Sequence, residues 1–248
     1  ITYDAIGNPL TYRDGMTLSW ERGRQLSSLQ TGGKLVNYEY DSLGRLIHSY
    51  QTDNGTIQQH TEHLYDTENR LVRQTWTSGG ENHVMDFIYD NTGKPYAVKY
   101  DNQIFYYVLN LQGDVIAIVT TWGAAYGTYT YDAWGNVISQ SGTMAAVNPI
   151  RYRGYYYDSE TELYYLGSRY YDPAVKRFIN ADGAALAAIG SYNNGLTDKN
   201  YFAYCNNAPV NSSDDGGDLP TVIVGAIVGG VLGAIDSIAS GDSFGEVA

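Results

Sequence analysis

A tyrosine followed by a tight acidic turn recurs along this chain, and that recurrence restricts it to an array of like units. Asp4-Ala5-Ile6-Gly7, Asp41-Ser42-Leu43-Gly44, Asp90-Asn91-Thr92-Gly93 and Asp132-Ala133-Trp134-Gly135 each follow a tyrosine. Asp66-Thr67-Glu68-Asn69 carries Asn in the Gly slot, and Asn110-Leu111-Gln112-Gly113 carries Asn in the Asp slot. Asp first and Gly fourth is the preference of a type I turn, because the carboxylate accepts backbone N–H groups and Gly tolerates positive φ. From Asp41 the units start 25, 24, 20 and 22 residues apart. A period of that length marks a repeat protein.

A second series of turns alternates with the first: Thr31-Gly32-Gly33, Asp53-Asn54-Gly55, Ser78-Gly79-Gly80 and Asp101-Asn102. Gly-Gly, Asn-Gly and Asp-containing pairs are short hairpin signals. The two series therefore mark opposite ends of an antiparallel meander over 1–140, with legs of ordinary strand length. Trp20-Glu21-Arg22-Gly23 breaks the rule with Trp-Glu in place of Tyr-Asp, and a looser corner is expected there. Ser141 to Asn148 reads as a connection.

Twenty-five tyrosines stand against five phenylalanines, a bias toward rings with a polar tip. Such side chains suit half-wetted sheet faces, or ladders stacked between repeats. The net charge of −12, with 15 Lys plus Arg, argues against a nucleic-acid footprint in this region. A lone cysteine, Cys205, excludes an internal disulfide. Because the chain opens at Ile1 inside a strand–turn unit, it is expected to be cut from a longer array.

Beyond 148 the sequence becomes rich in Tyr and Arg, in Arg151-Tyr152-Arg153-Gly154-Tyr155-Tyr156-Tyr157-Asp158 and Leu163 to Pro173. Arginines over aromatic faces are expected to rigidify this block. Ala181 to Gly190 is rich in small residues and is expected to form a short helix. From Pro220 the chain turns apolar, and Gly225, Gly229 and Gly233 recur every four residues within Thr221 to Ile235. That run is shorter than the ~20 residues of a bilayer span, although its small residues suit close helix contact in lipid. A packed segment and a membrane-active one both remain open.

The repeated Tyr-Asp-x-x-Gly units resemble the Rhs/YD-repeat proteins when taken with Gly154-Tyr155-Tyr156-Tyr157-Asp158, Ser168-Arg169-Tyr170-Tyr171-Asp172-Pro173, Arg177-Phe178-Ile179-Asn180-Ala181-Asp182 and Tyr204-Cys205-Asn206-Asn207. This family includes bacterial polymorphic toxins, the C component of insecticidal toxin complexes and, more distantly, teneurins. The resemblance implies an all-β fold: an antiparallel hairpin array that is part of a spiralling β-shell, closed by a Tyr/Arg-rich core domain. The implied division is 1–140 array, 141–218 core domain and 219–248 start of a variable effector region. A structural encapsulation and delivery scaffold, secreted or on the bacterial cell surface, is the implied function. Its partners would be its own C-terminal effector and an immunity protein or delivery component.

The resemblance also implies that the core domain cuts its own chain once, as an aspartic protease acting in cis. Arg169, Asp182 and Asp214 match the family's arginine and aspartate pair, and scission is expected in Gly217-Asp218-Leu219-Pro220. Of two nearby carboxyls one keeps a proton and polarises the carbonyl, the other activates water, and the arginine stabilises negative charge. Here the family's Asp-Pro-x-Gly reads Asp214-Asp215-Gly216-Gly217, without the φ-fixing proline. Its usual Glu-Thr-Gly reads Glu160-Thr161-Glu162.

Other constellations are weaker. His60-x-x-His63 has metal-ligand residue types, but the two would point to opposite faces of a strand, so no metal is expected there. Cys205 reads as a packed thiol, and no cofactor motif is present. An adhesive surface protein whose exposed tyrosines stack on a cell-surface glycan is the alternative function. A glycoside hydrolase is a third reading, and the regular placement of the aspartates in turns argues against it.

Overall fold

The computed structural model describes residues 1–181, 200, 202–214 and 216–217, and the main chain of 221–222. Ala181 aside, the expected helix over Ala181 to Gly190 lies outside the described residues. The array is a twelve-stranded antiparallel sheet whose strands pair in chain order. Its strands are β1 (Thr17–Glu21), β2 (Gln25–Thr31), β3 (Lys34–Tyr40), β4 (Leu46–Asp53), β5 (Thr56–Tyr65) and β6 (Leu71–Ser78). They continue as β7 (Glu81–Tyr89), β8 (Pro95–Tyr100), β9 (Gln103–Leu109), β10 (Val115–Val119), β11 (Ala125–Tyr131) and β12 (Val137–Ser141). A one-turn helix α1 (Thr143–Val147) then leads to a second, four-stranded sheet: β13 (Tyr156–Asp158), β14 (Leu163–Tyr165), β15 (Tyr170–Asp172) and β16 (Arg177–Phe178). The fold is all-β, and the chain-order meander matches the alternation of turn signals.

Both turn series follow from side-chain chemistry. In the second series both central residues have positive φ: Gly32 and Gly33, Asn54 and Gly55, Gly79 and Gly80, Asp101 and Asn102. That is the type I′ hairpin, whose twist matches the strands. In the first series one carboxylate oxygen closes a five-residue loop. Asp41 Oδ1 accepts the N–H groups of Leu43 (2.9 Å) and Arg45 (3.0 Å), and the Asp41 N–H donates to the Arg45 carbonyl (3.0 Å). Asp66, Asp90 and Asp132 repeat the arrangement, and Asn110 does so with its amide oxygen. These bonds hold the Asp41, Asp66 and Asp90 carboxyls below the usual carboxylate range against the opposing cost of desolvation.

Two corners depart from expectation. Thr120-Thr121-Trp122-Gly123 closes the same loop with a hydroxyl, Thr120 Oγ1 accepting from Ala124 (3.2 Å). The Trp20-Glu21 corner is tied down rather than loose. Asn8 Nδ2 donates to the Gly23 carbonyl (2.6 Å), and Arg24 bonds the carbonyls of Ala181 (2.8 Å) and Ile6 (3.1 Å).

At three of these turns the preceding tyrosine couples one unit to the last. Tyr40 Oη donates to the Leu26 carbonyl (2.9 Å), Tyr89 to Leu71 (2.8 Å) and Tyr131 to Val115 (2.9 Å). The residue after the turn adds a second link. Arg45 pairs with Asp41 (2.6 Å) and lies over the ring of Tyr65; Arg70 pairs with Asp66 (2.7 Å) and lies over Tyr89.

The four-stranded block covers the inner face of the large sheet. Leu163, Tyr165, Tyr170 and Ile179 pack with Leu18, Leu29, Val36 and Tyr38, while Met144, Ala145 and Ile150 join Phe87, Val98, Phe105 and Ile118. Arginine stacking appears here as expected: Arg151 lies over Tyr157 at 4.2 Å and Arg153 over Tyr152 at 5.1 Å. The block holds both ends of the sheet. At the N-terminal end Tyr38 Oη donates to Asp158 (2.7 Å) and Arg13 pairs with the fully buried Asp172 (2.6 Å). At the other end three successive carbonyls of the last turn, Ala133, Trp134 and Gly135, accept the hydroxyls of Tyr152, Tyr171 and Tyr164 at 2.9, 2.7 and 2.9 Å.

Gly135 is held to glycine by this docking. Its φ is +89°, and an added Cβ would sit 2.7 Å from the Tyr152 ring. Gly93 has nearly the same φ, +82°, but its Cβ would meet only Arg70 Nη1 at 3.9 Å. The left-handed backbone penalty is common to both. Gly135→Ala is therefore expected to cost about 1–3 kcal/mol more stability than Gly93→Ala, read from paired urea unfolding curves; equal losses would refute the docking argument.

Buried tyrosines also set an alkaline limit. Burial pushes the Tyr152 and Tyr157 hydroxyls up to about 12, the nearby Arg153 and Arg151 opposing, and pushes Tyr89, Tyr131 and Tyr171 higher still. The unfolded chain ionises tyrosine near its ordinary value of about 10, so the native state keeps protons that the unfolded state loses. Stability is intact below pH ~10 and falls as pH rises from there toward 12. Tyrosinate absorbance is expected to rise in two phases, exposed rings first and the remainder only on unfolding.

Candidate functional site

The residues expected to cut the chain converge at one corner of the four-stranded block. Beyond β14 the chain makes a tight turn, Leu166 N–H donating to the Arg169 carbonyl (3.0 Å), which aims Arg169 back into the block. The guanidinium is 5% exposed and lies 3.6 Å from the centroid of the Phe178 ring. On its polar edge, Nε donates to the Gly217 carbonyl and Nη2 stands 3.9 Å from Asp214 Oδ2. Asp214 is 1% exposed, and its main-chain N–H donates to Tyr155 Oη (3.0 Å), itself 3.1 Å from Tyr204 Oη.

The glycines after Asp214 fold onto the same turn. Ser168 Oγ donates to the Gly216 carbonyl (2.7 Å). Gly217 has φ +76°, and an added Cβ would lie 2.8 Å from Ser168 Oγ, so only glycine fits against the Leu166–Arg169 turn. Just outside this loop, β17 (Ser212–Ser213) pairs antiparallel with β18 (Thr221–Val222). In sequence the expected scission segment lies between these two short strands.

The structure brings together Arg169, Asp214 and Gly217 of the residues read from the sequence. Asp182, Asp218, Leu219 and Pro220 lie outside the described residues, as does the apolar run after Val222. Glu162, where the family has Gly, adopts φ +60° and donates its N–H to the Asp158 carbonyl (2.8 Å). Chemically the corner supplies a buried cation bonded to a main-chain carbonyl, with a buried carboxyl on the same guanidinium. A carbonyl so held is polarised, and negative charge developing there meets the fixed cation.

Tyr155, Ser168, Phe178 and Tyr204 were not among the residues read as functional. Their signal was present only as membership of the Tyr-rich motifs, since nothing local says which hydroxyl meets Asp214. Cys205 is buried beside Tyr204, as a packed thiol should be. His60 and His63 do part to opposite faces: His63 is buried edge-on against Tyr156, while the side chain of His60 remains 35% exposed. Most tyrosines of the block point inward, with Tyr152, Tyr155, Tyr164, Tyr171 and Tyr204 forming one buried cluster. Among the described residues no helix is long and apolar enough to cross a membrane.

Comparison with known proteins gives the same fold. A relative called tRNA nuclease WapA, from Bacillus subtilis, is 33% identical over 231 residues, covering 91% of this chain and 9% of that protein. Human Teneurin-4 is 26% identical over 191 residues, covering 75% of this chain and 6% of its own. The crystal structure of TcdB2-TccC3 without its hypervariable C-terminal region superposes with a TM-score of 0.69 at 22% identity, covering 87% of this chain and 11% of that one. The chain thus spans about a tenth or less of each of these proteins. The Teneurin YD-shell family model matches residues 2–210, and with that match this chain belongs to the Teneurin YD-shell family.

Proposed function

We propose that this chain is the closing part of a YD shell that encloses a toxin-type effector at its own C-terminus, and that its core block cuts the chain once to separate the two. In this reading 1–140 is array, 141–218 core domain and 219–248 the start of the effector region. The observation that carries the cleavage reading is the burial of Arg169 and Asp214 together against the Gly216–Gly217 main chain. Support for the enclosing role comes from the inward-packed tyrosines and from the relatives, one named for a nuclease and one for a hypervariable C-terminal region. An extracellular or surface location, an immunity partner and a delivery component belong to the same proposal.

Hydrolysis would proceed by water adding across one peptide bond of Gly217 to Pro220. One carboxyl of the Asp182–Asp214 pair takes a proton from the water, while the other, protonated, hydrogen-bonds the scissile carbonyl. Arg169 stabilises the oxyanion, and the proton returns to the leaving nitrogen, giving a carboxylate and an amine. The event happens once per chain, without turnover.

The test is the intact mass of the denatured full-length parent protein. Wild type is expected as two pieces whose new terminus lies between Gly217 and Pro220, and both Asp214→Asn and Arg169→Gln as one, each with a wild-type circular dichroism spectrum. An uncut wild-type chain would overturn self-cleavage and leave a shell that keeps its cargo covalently attached.

A further inference from the structure

The outer face of the twelve-stranded sheet, opposite the face that the four-stranded block covers, carries three ligand-type side chains within reach of one ion. Strand β4 pairs with β5 so that His48 stands opposite Glu62 and Tyr50 opposite His60. This register brings His48 Nδ1 to 3.1 Å from His60 Nε2, and Glu62 Oε1 to 4.0 Å from that same His60 nitrogen. One ligand atom from each residue lies within 4.8 Å of the others.

We propose that His48, His60 and Glu62 bind a divalent transition-metal ion, with zinc the ion best matched to the donor set. Two imidazoles and a carboxylate are a recognised zinc combination, leaving a fourth position for water. Zinc–nitrogen bonds of about 2.0–2.1 Å in tetrahedral geometry place two ligand nitrogens about 3.3–3.4 Å apart. The 3.1 Å between the two imidazoles is already close to that edge.

Neighbouring groups hold the ligands in place. The Tyr50 ring stacks on His60 with centroids 4.4 Å apart and planes 9° from parallel, fixing the plane of the imidazole. Thr75 Oγ1 donates to Glu62 Oε2 (3.4 Å), so the oxygen nearer the histidines is the other one. An ion at this point would be met by the two facing ring nitrogens, His48 Nδ1 and His60 Nε2. The ion would clip β4 to β5 next to the bulge between Gln51 and Thr52, where the ladder loses its regular register.

The sequence hides this site, because His60 takes its partner from twelve residues earlier and its carboxylate from the next position on its own face. The expectation of no metal rested on His60-x-x-His63, a spacing that is not the relevant one.

The experiment is calorimetric titration of the full chain with zinc chloride at neutral pH, with cobalt(II) absorbance as a second readout. One saturable zinc per chain, a rise in thermal midpoint, and visible cobalt bands of four-coordinate intensity are expected. His48→Ala and His60→Ala should each weaken zinc binding at least about tenfold and abolish the cobalt bands while the sheet's circular dichroism is retained. Glu62→Gln should weaken it less, and His83→Gln, at the exposed His83–Asp101 pair, should leave it unchanged. Absence of saturable binding, or binding that survives both histidine substitutions, would overturn the proposal.

Discussion

The hydrogen bond from a tyrosine hydroxyl to a main-chain carbonyl one unit away is the interaction on which the remaining structure depends. A hairpin array built on hydrophobic contact alone could slip, because apolar contact carries little direction. The Tyr40, Tyr89 and Tyr131 hydroxyls each reach one particular carbonyl on the preceding unit, those of Leu26, Leu71 and Val115. Each bond is worth about 1 kcal/mol net; its larger effect is geometric, since a register shift strands both a hydroxyl and a carbonyl. Phenylalanine would fill the same volume without specifying where the next unit lies, which favours tyrosine at these three positions. Arginine stacking by Arg45 on Tyr65 and Arg70 on Tyr89 adds a second coupling in the same direction.

The same chemistry tethers the four-stranded block to turns near both ends of the meander. Tyr152, Tyr164 and Tyr171 donate to the carbonyls of the last turn, and Tyr165 donates to that of Gly44, near the other end of the sheet. The four-stranded block thus works as a bracket between units that are some ninety residues apart in the chain. Contacts such as Arg13–Asp172 and Tyr38–Asp158 close loops of more than a hundred residues. Closing loops of that length costs more chain entropy than forming the local hairpins.

Most of the array was legible because its information is local. An Asp that closes its own loop and a pair of residues able to take positive φ are visible within five positions, and the meander follows from their alternation. The Thr120 corner escaped because a hydroxyl can replace the carboxylate without leaving the Tyr-Asp signature. The Trp20-Glu21 corner was misjudged because its restraint comes from Asn8 and Arg24, contacts absent from the motif itself. In the candidate site, Arg169 and Asp214 were readable from the family's motifs, whereas the Tyr155–Tyr204 pair beside Asp214 was not. Which of several equivalent tyrosines meets the aspartate is decided by packing of the whole block, and the His48–His60 approach is likewise decided by strand register.

The position of the Arg169–Asp214 corner within the fold bears on what a cut there could accomplish. The loop that follows Asp214 is anchored on one side by Arg169 and Ser168, which hold the Gly217 and Gly216 carbonyls, and on the other by the β17–β18 pairing. That pairing involves two residues from each strand, far short of an independently stable hairpin. Under the proposed reading, a cut inside the loop would replace a covalent tether by this short ladder. Hydrolysis and release would then be distinct steps, the second set by non-covalent packing. The buried Arg169–Asp214 pair suits that division, because Arg169 holds the Gly217 carbonyl, and with it the upstream end of the loop, independently of the chain beyond Gly217.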